Sequence, residues 1–154
     1  MPSRWRRSVF SQERCEADVC AAENAIDEIF RVMEFVEVMF RNMNPNMVHD
    51  LEKYHPQSYK KFLEHKNKYL HDMIRQNIER GIKEGLYRPE INIDIMTRFR
   101  LESMMLAFDT DIFSPSQFSL LKLQQEILQH FLYGLATLKG HKLILKYKKQ
   151  RLNS

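Results

Sequence analysis

The chain has 154 residues, a formal net charge of +4 and 44% apolar side chains, with ten phenylalanines and nine methionines but only four glycines. That composition excludes a disordered chain, and no apolar run approaches the roughly 20 residues of a membrane span. Few glycines, few prolines and almost no β-branched runs predict one all-α domain, a helical bundle large enough for its own core.

In chain order, residues 1–21 read as an N-terminal extension or remnant helix. The basic RWRR at 4–7 has no apolar segment behind it, so it makes a poor signal peptide. With KYKKQR at 146–151 it holds much of the positive excess. Both clusters read as solvated ends, with weak phosphate contact as the alternative. Cys15 and Cys20 point to different faces of a helix. They read as reduced thiols of a cytoplasmic protein rather than a disulfide or a metal pair.

Six helices are predicted. The first covers 11–21 and runs on or kinks into 22–43. Asn44-Pro45 reads as N-cap and N1 of a helix over 45–54, and His55-Pro56 opens the next, 56–84. Gly85 is the left-handed residue that ends it. Arg88-Pro89 blocks continuation, and Asn92 caps 93–109 with Ile91 and Met96 as a staple. Ser114-Pro115-Ser116-Gln117 reads as a capping box for 115–138. The last helix covers 141–150, and 151–154 is a tail. Gly81 lies inside a helix, where it costs about 1 kcal/mol against alanine. Close approach of another helix is the expected compensation.

Helical wheels then separate the faces. In 22–43, Ile26, Phe30, Met33, Val36 and Phe40 belong to a core face, while Asp27 falls on the polar side together with Phe35 and Val38. In 56–84 the apolar face is Tyr59, Phe62, Leu63, Leu70, Met73 and Ile74. Lys66 and Asn77 fall inside that face, and Tyr69 lies at its edge. Two readings stay open. Either Lys66 snorkels to water and Asn77 bonds a neighbouring backbone, or the face lines an apolar cavity with a few polar groups to orient a small molecule. Phe35, Met39, Met104 and Phe108 are candidates for the opposite wall. A lysine there favours an anionic or acyl-type ligand.

The helices 93–109 and 115–138 are each apolar on two sides. In the first, Ile95, Phe99 and Leu106 form one face and Leu101, Met104, Met105 and Phe108 the other, with Arg100 separating them. In the second, Leu120, Leu123, Ile127, Phe131, Gly134 and Leu138 widen the stripe of Leu121, Leu128, Leu132 and Leu135 beyond one core contact. A homodimer through Leu101, Met105 and that widened face is the economical reading. The alternative is that the rest of the chain covers both sides.

The stretch GIKEGLYRPEINIDIMTRF resembles a segment of TetR/AcrR-type bacterial transcriptional regulators that reads, loosely, G-I-x-x-G-x-x-R-P-D-apolar-D. FLYGLATLKGHKLI resembles the last-helix pattern of the same family. The resemblance spans about residues 22 to 148. It implies a ligand-binding and dimerisation domain over 22–150, with a four-helix interface made by 93–109, 115–138 and their twofold mates. The effector would sit against helix 56–84. Such regulators begin with a helix-turn-helix domain of roughly fifty residues, whereas about twenty residues precede the first core helix here. DNA contact is therefore expected only through a domain this chain lacks.

No catalytic pattern emerges. There is no H-E-x-x-H, P-loop, dinucleotide fingerprint or G-x-S-x-G. Glu52 to His55 is the lone Glu-x-x-His unit, short of what a di-iron bundle requires. Asp109 and Asp111 read as turn residues. No enzyme, metal or cofactor is predicted. The expectation is a ligand-sensing and dimerisation domain of a TetR-like regulator; the alternative is a stand-alone dimeric helical interaction protein that does not bind DNA.

Overall fold

A computed structural model describes residue 17, residues 19–41, residue 50 and residues 52–152, without the side chains of Met39, Phe40, Phe62, Lys66 and Leu152. The expectations for RWRR, Cys15, Asn44-Pro45 and most of helix 45–54 lie outside the described residues. The fold is mostly helical, with no strand among the described residues. The principal helices are α1 (Ala25–Arg41), α2 (Pro56–Lys83), α3 (Ile93–Leu106), α4 (Leu120–Leu135) and α5 (Leu138–Leu152). None is long and apolar enough to cross a membrane.

The core forms where four of these helices converge. Ala25, Ile26 and Phe30 of α1 meet Ile78 of α2, Leu128, Phe131, Leu132 and Leu135 of α4, and Ile144 of α5. Leu86 and Tyr87, from the α2–α3 connector, complete it. Each large side chain buried this way contributes about 1.5–3 kcal/mol. The ring of Tyr147 on α5 closes over Phe30 at 5.5 Å. Helix α3 lies along α2 and beside α4, and only Thr97, Arg100 and Leu101 are buried on it.

Local chemistry explains where helices start and stop. The chain is helical at 19–21 and breaks over 22–24, where Asn24 Oδ1 accepts from the Asp27 N–H at 2.8 Å. Gly85 is left-handed at φ +74°, and Asn92 caps α3 by accepting from the Ile95 N–H at 3.1 Å, both as predicted.

Four boundaries differ from expectation. Helix α3 stops at Leu106, because Phe108 and Asp109 donate to the carbonyls of Met105 and Leu106 and tighten the turn. Ser114 does not open α4. It holds a separate turn by accepting from the Gln117 and Phe118 N–H groups, and Ser119 caps α4 instead. At the other end α4 closes at Leu135, whose carbonyl accepts from Arg88 N–H at 2.8 Å. Thr137 then caps α5, which therefore begins at Leu138 rather than 141.

Candidate functional site

Two distant stretches meet at one end of the bundle. Residues 86–88 run antiparallel to 135–137 and form an isolated bridge between Tyr87 and Ala136. Arg88 N–H donates to Leu135, and Thr137 N–H donates to Leu86 at 2.9 Å. These are the segments GIKEGLYRPE and FLYGLATLKG that carried the resemblance. Gly81 is explained here. A Cβ on it would stand 2.0 Å from Cδ2 of Tyr87, so the neighbour it admits is a connector ring rather than another helix. Gly140 serves the same purpose toward the backbone of Leu86.

The polar groups of this junction are mutually engaged. Tyr87 donates its hydroxyl to Asn77 Oδ1 at 2.9 Å, and Asn77 Nδ2 donates to the Ala25 carbonyl at 3.0 Å. Arg80 donates to the Ala22 carbonyl and to Glu28, while Glu84 accepts from the Ala25 N–H at 2.7 Å. Burial pushes the Glu28 carboxyl above its ordinary range, against the pull of Asn77 and Arg80. Burial, then Glu28 and Glu84, hold the Tyr87 phenol well above its ordinary range. Asp27 and Glu28 are both buried, so the placement of Asp27 on a polar side of α1 is corrected.

The ligand-wall candidates are distributed along α1, α2 and α3. Phe35, Tyr59, Tyr69, Met73, Met104 and Phe108 are half-buried. The side chains of Met39 and Lys66 lie outside the described residues. Burial, reinforced by Glu52, raises the Tyr59 phenol. Asn77 is buried with both ends of its amide committed to protein, so it fastens α1 to α2 and has no donor or acceptor directed at a ligand. That is the neighbouring-backbone reading of Asn77 rather than the cavity reading.

The wheel also placed Arg100 as a polar divider on α3. It is instead only 8% exposed. Burial alone lowers its guanidinium to about 10, with no carboxylate contributing. Its Cζ stands 5.7 Å from the centre of the Phe131 ring, and Nη1 has no hydrogen-bond partner. The signal was legible in part, since Arg100 and Met104 stand one helical turn apart on α3. Reading Arg100 as a polar divider between two apolar faces concealed it.

On the outer side of the same helices an open groove of about 710 Å³ runs between α3 and α4. Phe99, Met105, Leu106 and Ile127 supply its apolar lining, with Glu102, Asp109, Glu126, Ser103 and His130 around them. Phe99 is 51% exposed although its ring stacks on Phe131 at 6.3 Å. Of the predicted interface residues, Met105 and Ile127 face this groove. Leu101 and Phe131 are buried within the chain, Leu120 and Leu123 are half-buried, and Gly134 and Leu138 are exposed, the latter at 85%. No family model, curated protein or solved structure matches the chain.

Proposed function

We propose that this chain is the ligand-sensing and dimerisation domain of a TetR-like transcriptional regulator, working in the cytoplasm as a homodimer. The observation that carries the reading is the apolar groove on the outer face of α3 and α4. An exposed strip holding Phe99 and Leu106 is costly in a monomer and is the kind of surface a second copy covers. Glu102, Glu126 and His130 give the apolar strip a polar rim, as specific interfaces have. The meeting of the two family-like stretches at one junction supports the same reading. In this reading operator DNA would be contacted by a helix-turn-helix domain separate from this bundle, since none is present among the described residues. The chain alone therefore gives no sequence-specific duplex shift, and any retention falls steeply with salt.

The test is the oligomeric state of wild type and Ile127→Glu by light scattering. Wild type should be a dimer at about 10–100 µM, a range suited to a specific contact. The variant should be a folded monomer, because it places an unpaired charge in a dry interface. A monomeric wild type ends the dimer reading. A dimer that binds no small molecule favours the stand-alone interaction protein instead.

A further inference from the structure

Arg100 presents a chemical problem that the described protein does not solve. Removing a guanidinium from water is tolerated when a carboxylate or several acceptors replace the lost hydration. The other buried or half-buried arginines follow that rule. Arg80 has Glu28, Glu84 and a carbonyl, Arg31 has Asp27, and Arg151 has Glu34. Arg100 is more deeply buried than any of these, yet the face of Phe131 is the partner its guanidinium is seen to have. A ring face offers cation–π attraction but no lone pair to an N–H group.

The surroundings define what would satisfy it. Arg100 and Met104 lie one turn apart on α3, about 6 Å at 1.5 Å per residue, and Phe108 follows in the turn just past its end. Met104 and Phe108 are half-buried, so a charged head at Arg100 would continue into an apolar body against those two side chains. The carbonyl of Met104 is already taken by Gln124 Nε2 at 3.1 Å, which ties α4 to α3 beside them. A planar fork of N–H donors matches a carboxylate in a bidentate pair. A single cation suits one negative charge.

We propose that Arg100 is the receptor for the carboxylate of an amphipathic ligand whose apolar part lies along Met104 and Phe108. This rests on the reading of the chain as a ligand-sensing domain and names the class of molecule sensed. It also makes the arginine, which the wheel discarded, the residue that selects the ligand.

The experiment uses the full chain and three probes of equal length, decanoate, decanol and decyltrimethylammonium. Binding is followed by thermal shift and calorimetry, with Arg100→Met and Arg100→Lys beside wild type. Wild type should bind decanoate at least about tenfold more tightly than decanol, as expected for a hydrogen bond to a charged group, and should reject the cation. Arg100→Met should lose that preference while still binding decanol. Without ligand its Tm should rise, because an unpaired buried charge has gone. Arg100→Lys should keep the sign of the preference with a smaller ratio, since it keeps the charge without the fork. The inference is overturned if Arg100→Met retains the decanoate preference, or if wild type binds decanol equally well. It is also overturned if the ligand-free Tm of Arg100→Met falls, which would make the arginine a structural partner of Phe131. Should no probe of any charge bind wild type, the ligand-sensing reading itself falls. Should Arg100→Met not fold, the ratio in Arg100→Lys decides, with an unchanged ratio counting against the fork.

Discussion

Two arginines set the two halves of the molecule against each other. Arg80, at the end of α2, sits in a junction where Glu28, Glu84 and the Ala22 carbonyl receive its N–H groups. Arg100, on α3, is more deeply buried and has a ring face and an unpartnered Nη1. The first region is a closed polar network inside a packed core. The second pairs a buried charge with exposed Phe99 and Leu106 on the other side of the same helix. A satisfied network fixes one geometry. Groups left without partners mark surfaces whose partners lie elsewhere. On the proposed reading the junction is the scaffold, and α3 with its flank of α4 is the side that meets other molecules.

The strongest test of the rigid half is Gly81→Ala. Helix propensity alone favours the alanine by about 1 kcal/mol. The new Cβ would stand 2.0 Å from a ring that is buried and hydrogen-bonded in place. Overpacking of this kind costs about 1–3 kcal/mol and occasionally more. At so short an approach the cost sits at or beyond the upper end of that range, so after the helix gain of about 1 kcal/mol a net loss of about 2 kcal/mol or more is expected in urea unfolding. Gly134→Ala is the matched control, because a Cβ there meets nothing within 4 Å, and it should gain up to about 1 kcal/mol. Equal stability of the two variants would mean that the Tyr87 ring moves aside and that the junction is not rigid.

That pair of glycines also shows what the sequence could carry. Helix type, the left-handed Gly85 and the Asn92 cap depend on neighbours a few residues away, so they were legible. The start of α5 at Leu138 and the end of α4 at Leu135 were not. They are set by Arg88 and Leu86, about fifty positions earlier in the chain, whose backbone groups intercept those of Leu135 and Thr137. Local pattern put the cap at Ser114, whereas Ser119 provides it. Asp27 and Arg100 were misplaced for a shared reason. A wheel assigns charge to water, whereas Arg31 and the Glu23 N–H make burial tolerable for Asp27, and Arg100 is buried without such help. Among the site residues, Asn77 was correctly singled out as a polar group in an apolar face, but its partners are Ala25 and Tyr87 rather than a ligand.

A second, smaller break removes one oxygen. Tyr87→Phe leaves Asn77 Oδ1 buried and without its donor, at a cost of about 1–3 kcal/mol. The midpoint of urea unfolding should fall with no change in its slope. Tyr133 offers the contrast. Its hydroxyl is bonded to Lys148 Nζ at 3.3 Å on a half-buried side chain, where water can replace the partner. Tyr133→Phe should stay within about 0.5 kcal/mol of wild type. Similar losses in both would show that the junction owes nothing special to its closed network.

The smallest expected effect is a pH dependence that runs oppositely at adjacent residues of α1. For Asp27, burial pushes the carboxyl up, but the Glu23 N–H and Arg31 outweigh it and the net position is below the ordinary 3.8. Its contribution to stability is thus fully present above that value and is lost as pH falls through the lowered one. For Glu28, burial dominates and the carboxyl titrates above the ordinary 4.5. Here the folded state takes up its proton first on acidification, so the contribution is greatest below 4.5 and is lost as pH rises through the raised value. The difference between wild type and Glu28→Gln should accordingly shift in favour of wild type as pH falls from about 7 toward 4.5. The difference between wild type and Asp27→Asn should stay flat across that window and shrink only below 3.8. Urea unfolding at stepped pH measures both. If the two differences move in the same direction over the same window, the carboxylates share one environment, and the junction does not hold Glu28 as a buried acid beside an ion-paired Asp27.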